Sequence, residues 1–288
     1  MDRDVNYEYF WQMIRSKVLT MRELDRDLEL LPQAKSHQYA IAPVVSEKTI
    51  AEFERKNKID LPPCYRGYLR YFGAQGASAY GGTHHFELDI FQRDVSEPSN
   101  FTAFEGYREL TEEEENCDVT RYQKGVVPIA RGWNPIGPDL VINGEASGYV
   151  FWDSHDFIGC EGKFWQWYST WVDKALVALN QRLTLKSLPW GIDITEVQKL
   201  LPDEKISFLT SGDFNCALIR HDVPSEQVES AFVLNENGLV TKLFNSRDAM
   251  HHYCRDQTKS RNVNTVYPKC LASFICECIS CRKIRGEL

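Results

Sequence analysis

No stretch of this chain approaches the roughly 18 to 20 consecutive apolar residues that crossing a bilayer requires. Its first residues, Met1 to Glu8, have neither the basic nor the apolar region of an export signal. A cytoplasmic protein is expected. Positive charge is also short, with 33 Lys and Arg against 41 Asp and Glu for a net charge of −8. The segment from Thr184 to Leu288 is balanced, so the whole excess lies before it, and it is densest from Glu87 to Asp118, where Arg93 and Arg108 are the only cations. An anionic flank of this kind repels nucleic acid and membrane surfaces and speeds encounter with basic proteins. Neither nucleic acid nor a membrane is therefore an expected partner. Missing too is a glycine-rich phosphate loop, and no nucleophile or base stands out by its pattern. The 9 cysteines are odd in number and scattered, and without a secretion signal they read as thiols rather than a disulfide framework.

What the chain does have is a core. With 288 residues and 43% hydrophobic content, two domains are the better expectation. The most regular stretch is a helix carrying Phe164, Trp167, Tyr168, Trp171, Val172, Ala175, Leu176 and Leu179, spaced 3-1-3-1-3-1-3 as one buried stripe demands. Nothing on that stripe is chemically reactive. The best-ordered part of the sequence is spent on packing aromatic rings, which points to a binding module rather than an enzyme.

Upstream, Tyr7, Phe10, Trp11, Ile14, Val18, Met21, Leu24 and Leu28 predict an opening helix that stops at Leu31-Pro32. Ser46 is placed to cap a helix ending near Asn57, and Leu61-Pro62-Pro63 to open a short one that stops at Gly73. Phe86 to Phe91 alternates as a strand does, and the acidic connection is read as partly helical from Phe101 to Leu110. Val126 to Ala130 reads as an edge strand because Pro128 cannot donate to a central ladder. Asp139 to Asn143 and Gly148 to Asp153, joined at Gly144, read as a hairpin. After Gly191 come a helix over 194–201, strands over 206–209 and 216–219, a hairpin turning at Asn237-Gly238, and a helix capped by Ser246. The fold class is α+β: a mainly antiparallel sheet flanked by helices, with a second, small α+β domain. The divisions are an N-terminal helical extension over 1–40, a domain over 41–185, and the small domain with a cysteine-rich end over 190–288. No internal repeat of the first domain is found.

Ser46 to Arg55, Leu61 to Leu69, Phe72-Gly73, Gly132, Gly137 to Val141, Gly148 to Asp153 and Phe164 to Leu176, in this order and spacing, resemble the SUKH superfamily of Smi/Knr-like domains over about residues 43–179. The resemblance implies helices flanking an antiparallel sheet and a non-catalytic role. Its bacterial members are mostly cytoplasmic immunity proteins that bind and block a cognate toxin, often a nuclease or deaminase. Its fungal members serve as interaction hubs in cell-wall regulation. The acidic insert is more charged than the pattern, and the match does not reach past Leu185.

Trp133, Gly137, Asp139, Gly148, Trp152 and Asp153 carry the family pattern, and turn chemistry and core filling account for each without a ligand. Glu105, Glu109, Glu112, Glu113, Glu114, Glu115 and Asp118 are the candidate partner-binding residues. They would mimic a polyanion and occupy the basic cleft of a nuclease-like toxin. Cys276, Cys278 and Cys281 with His251, His252, Cys254 and Cys270 upstream lack the paired knuckles of a zinc site, so no metal and no cofactor is assigned. Cys64 and Cys160 have no histidine neighbour, and His84-His85 with Asp89, or His155 with Asp156, are pairs of a kind found in many sequences; no catalytic residue is assigned. The alternative to an immunity protein is a regulatory interaction scaffold, with a metal at the C-terminal cysteines.

Overall fold

A computed structural model describes residues 5–78, 81–83, 86, 95–102, 106–109, 124–130, 138–153, 157–202, 204–211, 214–223, 226–235 and 237–261. The chain divides into two compact units, Met1–Leu176 and Val177–Leu288.

The first unit opens with helix α1 (Tyr7–Leu24), followed by α2 (Ala34–His37), α3 (Glu47–Asn57) and α4 (Pro63–Gly67), which runs into a π-helical turn over Tyr68–Phe72. Strands β1 (Gly106–Glu109), β2 (Val126–Pro128), β3 (Asp139–Val141), β4 (Tyr149–Asp153) and β5 (Phe157–Lys163) form one antiparallel sheet in the order β1-β5-β4-β3-β2. Helix α5 (Phe164–Lys186) follows directly, and its last turns belong to the second unit.

Local chemistry sets these boundaries. The Ser46 hydroxyl accepts from the Thr49 amide at 3.1 Å and starts α3. Pro63 sits in the first turn of α4, where an amide hydrogen would have no intrahelical acceptor. α1 ends seven residues before the Leu31-Pro32 signal, because the buried Asp25 carboxylate accepts from the Glu29 and Leu30 amides at 2.9 and 3.0 Å and from the Tyr39 hydroxyl at 2.8 Å. Three donors compensate the buried charge and turn the chain early.

Aromatic rings fill the core of this unit. Trp11 meets Phe10, Tyr68, Phe72, Phe164 and Tyr168 at centroid distances of 5.0, 5.2, 6.1, 5.7 and 5.8 Å, and its indole N–H donates to the Cys64 carbonyl at 3.0 Å. Tyr168 donates to the Ala77 carbonyl at 2.6 Å, and the Tyr68 and Thr83 hydroxyls are paired at 2.9 Å. The rings can be buried because their polar ends are satisfied. A second cluster, with Phe101, Val126, Val141, Phe151 and Ile158, covers the sheet, and Phe101 stacks on Phe151 at 4.3 Å.

Two elements differ from the sequence reading. Residues Gly106–Glu109 form strand β1, paired with Phe157–Cys160 of β5, where a helix was expected. β5 itself was not foreseen, and it places Cys160 in a strand with its thiol buried. Of the strand expected at Phe86 to Phe91, only the buried Phe86 lies among the described residues.

The second unit contains α6 (Ile194–Leu200), β6 (Ile206–Ser211), β7 (Phe214–Val223), β8 (Glu226–Leu234), β9 (Val240–Phe244) and α7 (Arg247–Arg261), with the strands antiparallel in the order β6-β7-β8-β9. Alternation along β7 sends Ala217 and Ile219 into a cluster with Leu185, Ile194 and Val197 on one face. Cys216 and Leu218 go to the opposite face, against Met250 and Cys254 of α7.

Candidate partner-binding surface

β1 is one of the two outer strands of the five-stranded sheet among the described residues, and it carries the exposed Glu109. The other members of the acidic run, Glu105, Glu112, Glu113, Glu114, Glu115 and Asp118, lie outside the described residues. So do Trp133 and Gly137.

The remaining family-pattern residues fall on β3, β4 and the turn between them. Asp139 opens β3, half-buried, opposite Pro128 and Phe151. Gly148 has φ +87, and its amide donates to the Val141 carbonyl while its own carbonyl accepts from the Phe164 amide at the start of α5. A Cβ there would meet Cys64 Sγ and Pro62 Cβ, each at 3.5 Å, so steric room remains and the backbone conformation is what favours glycine. Gly148 thus joins the hairpin to α5 beside the Pro62 corner. Trp152 is half-buried, and its neighbour Phe151 enters the sheet cluster instead, since successive strand residues face opposite ways. Asp153 closes β4, with its side chain outside the described residues.

An open groove of about 660 Å³ runs between the C-terminal end of α3 and the β3–β4 turn, lined by Glu54, Arg55, Lys58, Asn143, Gly144 and Ser147 among others. Glu54 is committed to local structure, accepting from the Leu61 amide at 3.0 Å and from Arg66 at 3.3 Å. Ser147 donates to the Ile142 carbonyl at 2.9 Å, and the Asn143 amide group donates to the Ser96 carbonyl at 2.8 Å. Gly144 has φ +124, and a Cβ on it would approach the Ser99 carbonyl oxygen at 2.9 Å, so only glycine lets residue 99 lie against this turn. The groove offers cations and hydrogen-bonding groups but no activated nucleophile. Sequence reasoning missed it, because the α3 terminus and the turn are some ninety residues apart and neither carries a motif.

Burial keeps two histidines and three phenols uncharged. The His37 ring, whose Nδ1 accepts from the Tyr39 amide at 3.0 Å, is pushed down to about 4 by burial, which outweighs the pull of Asp25. Burial pushes the phenols of Tyr65, Tyr68 and Tyr168 up. In the second unit His221 is within hydrogen-bond distance of Gln181 at 2.8 Å and Ser230 at 2.9 Å, and burial beside Arg182 lowers it to about 4. Cys64 is buried under the proline corner. His84, His85, Asp89, His155 and Asp156 lie outside the described residues, as do the cysteines from 270 onward. Among the described residues no three His, Cys, Asp or Glu side chains are grouped to hold a metal ion, and no helix is long and apolar enough to cross a membrane.

Helices flanking an antiparallel sheet are the arrangement the resemblance implies, and the first unit has it. Residues 44–174 match the SMI1 / KNR4 family (SUKH-1). Over this segment the chain is similar to the SUKH-1 family. The segment takes in α3, α4, the whole five-stranded sheet and the first half of α5. The groove and the acidic run both lie within it. No curated protein and no solved structure matches the chain.

Proposed function

We propose that this chain is a cytoplasmic immunity protein, which binds a cognate toxin and blocks it without catalysis. The SUKH-1-like domain is the scaffold, and the acidic run from Glu105 to Asp118 is the contact face for a basic, nuclease-like partner. The observation that carries the reading is the similarity to the SUKH-1 family, whose bacterial members are mostly of this type. The inert, ring-filled core and the charge concentrated on one sequence segment support it. Nucleic acid and membranes are not partners in this reading, since both repel an anionic surface.

Co-expression with the toxin encoded beside it in the genome tests the proposal. Cells should survive an otherwise lethal dose, and the two proteins should co-purify as a stable complex. Survival lost, or a toxin that runs separately from this chain, would overturn it. So would turnover of a small molecule by the purified protein.

A further inference from the structure

We propose that Cys216 and Cys254 form a reversible disulfide in the presence of a peroxide, fastening α7 to the sheet of the second unit. Cys216 lies within β7, opposite Leu209 on one side and Val233 on the other, and its side chain faces α7. Cys254 lies midway along α7 and is packed in the same cluster, with Phe214, Leu218, Ala231, Val233 and Met250 around the pair. Both are thiols, 3% and 2% exposed, and they hydrogen-bond to each other. Two buried thiols packed in one cluster, on elements 38 residues apart in sequence, are placed to be joined by a covalent bridge.

The pair is asymmetric. Their mutual hydrogen bond lowers Cys254 and raises Cys216, and in the proposed step Cys254 is the attacking sulfur. Its thiolate displaces hydroxide from hydrogen peroxide, breaking the O–O bond and leaving a sulfenic acid. Cys216, losing its proton, then attacks that sulfur; the S–S bond forms, the S–O bond breaks, and the oxygen leaves as water. Two thiols are oxidised and one peroxide is reduced to two waters. Access comes from local detachment of α7, whose hold on the sheet includes Met250, the Tyr253–Phe244 ring contact at 5.2 Å and Lys242 over Tyr253 at 4.0 Å.

The test uses the reduced full-length protein, treated with hydrogen peroxide, alkylated, digested and mapped by mass spectrometry. The expected product is a peptide pair linking Cys216 to Cys254, with a thermal midpoint raised by roughly 10 °C and restored by dithiothreitol. C254S should lose both the linked peptide and the shift. Recovery of both cysteines as alkylated thiols, at a peroxide dose that oxidises the others, would overturn the proposal. So would linkage of either one to a different cysteine. If C254S does not fold, the peptide map of the unsubstituted protein decides alone.

Discussion

At the scale of single residues, the first unit depends most on Trp11, which is fully buried against five rings and whose N–H satisfies the Cys64 carbonyl. Replacing it with alanine removes the largest side chain from a core that is ringed by rigid neighbours and cannot collapse around the gap. The expected loss is about 3–5 kcal/mol, seen as a lower urea midpoint with little change in slope. Trp11→Phe keeps most of the apolar volume and loses only the indole N–H bond to that carbonyl, which still accepts from the Tyr68 amide, and should cost about 0.5–1.5 kcal/mol. The buried histidines make a second prediction. His37 and His221 sit near 4 in the folded chain against an ordinary 6.5. Between those values the unfolded chain binds the protons and the folded one does not, so stability is full above pH 6.5 and falls as the pH drops toward 4. Each ring contributes up to about 3 kcal/mol over that window. Urea titrations at pH 7, 6 and 5 should show a falling midpoint, and H221N should flatten part of the fall. A midpoint constant from pH 7 to 5 would mean the rings are hydrated in solution.

At the scale of elements, α1 is the informative one, because it lies outside the matched segment 44–174 yet supplies Trp11, Ile14, Val18 and Met21 to the core. Four fully buried side chains at about 1.5–3 kcal/mol each rival the 5–15 kcal/mol that typically separates folded from unfolded states. Deletion of residues 1–25 should therefore abolish cooperative unfolding by circular dichroism, although the matched segment is intact. A sharp transition in the shortened chain would refute this. The same elements show what the sequence revealed. The α5 stripe was legible residue by residue, since a 3.6-residue period over two aromatic turns has one interpretation; all its members are buried except the half-buried Leu176. The β3–β4 hairpin and the Ser46 and Ser246 caps were legible through turn and cap chemistry, which is local. β1 and β5 were not. β5 contains Gly159 and Gly162 and alternates poorly, and β1 exists only because β5 pairs with it, a contact some fifty residues distant that no local pattern encodes. The groove beside α3 was invisible for the same reason.

At the scale of the whole molecule, the open question is whether the acid excess steers a partner. Each Glu→Lys change adds two charges, so replacing Glu112, Glu113, Glu114 and Glu115 together would bring the net charge from −8 to zero. If the run guides a basic toxin, association should slow by about 10- to 100-fold at low salt and lose most of its salt dependence, with a much smaller change in the dissociation rate. Stopped-flow mixing at several ionic strengths reads both. Because a chain at zero net charge aggregates more readily, the four Glu→Gln replacements, which leave a net charge of −4, form the control and should fall between the two. Unfolding free energies from urea titration should stay within about 0.5 kcal/mol of the original, as net charge governs association more than folding. Unchanged association rates in both variants, with the same salt slope, would remove the acidic run from the interface. The SUKH-1-like scaffold would then have to meet its partner elsewhere, and the groove between α3 and the β3–β4 turn, whose lining balances Arg55 and Lys58 against Glu54 and Asp60, would favour a partner of mixed charge.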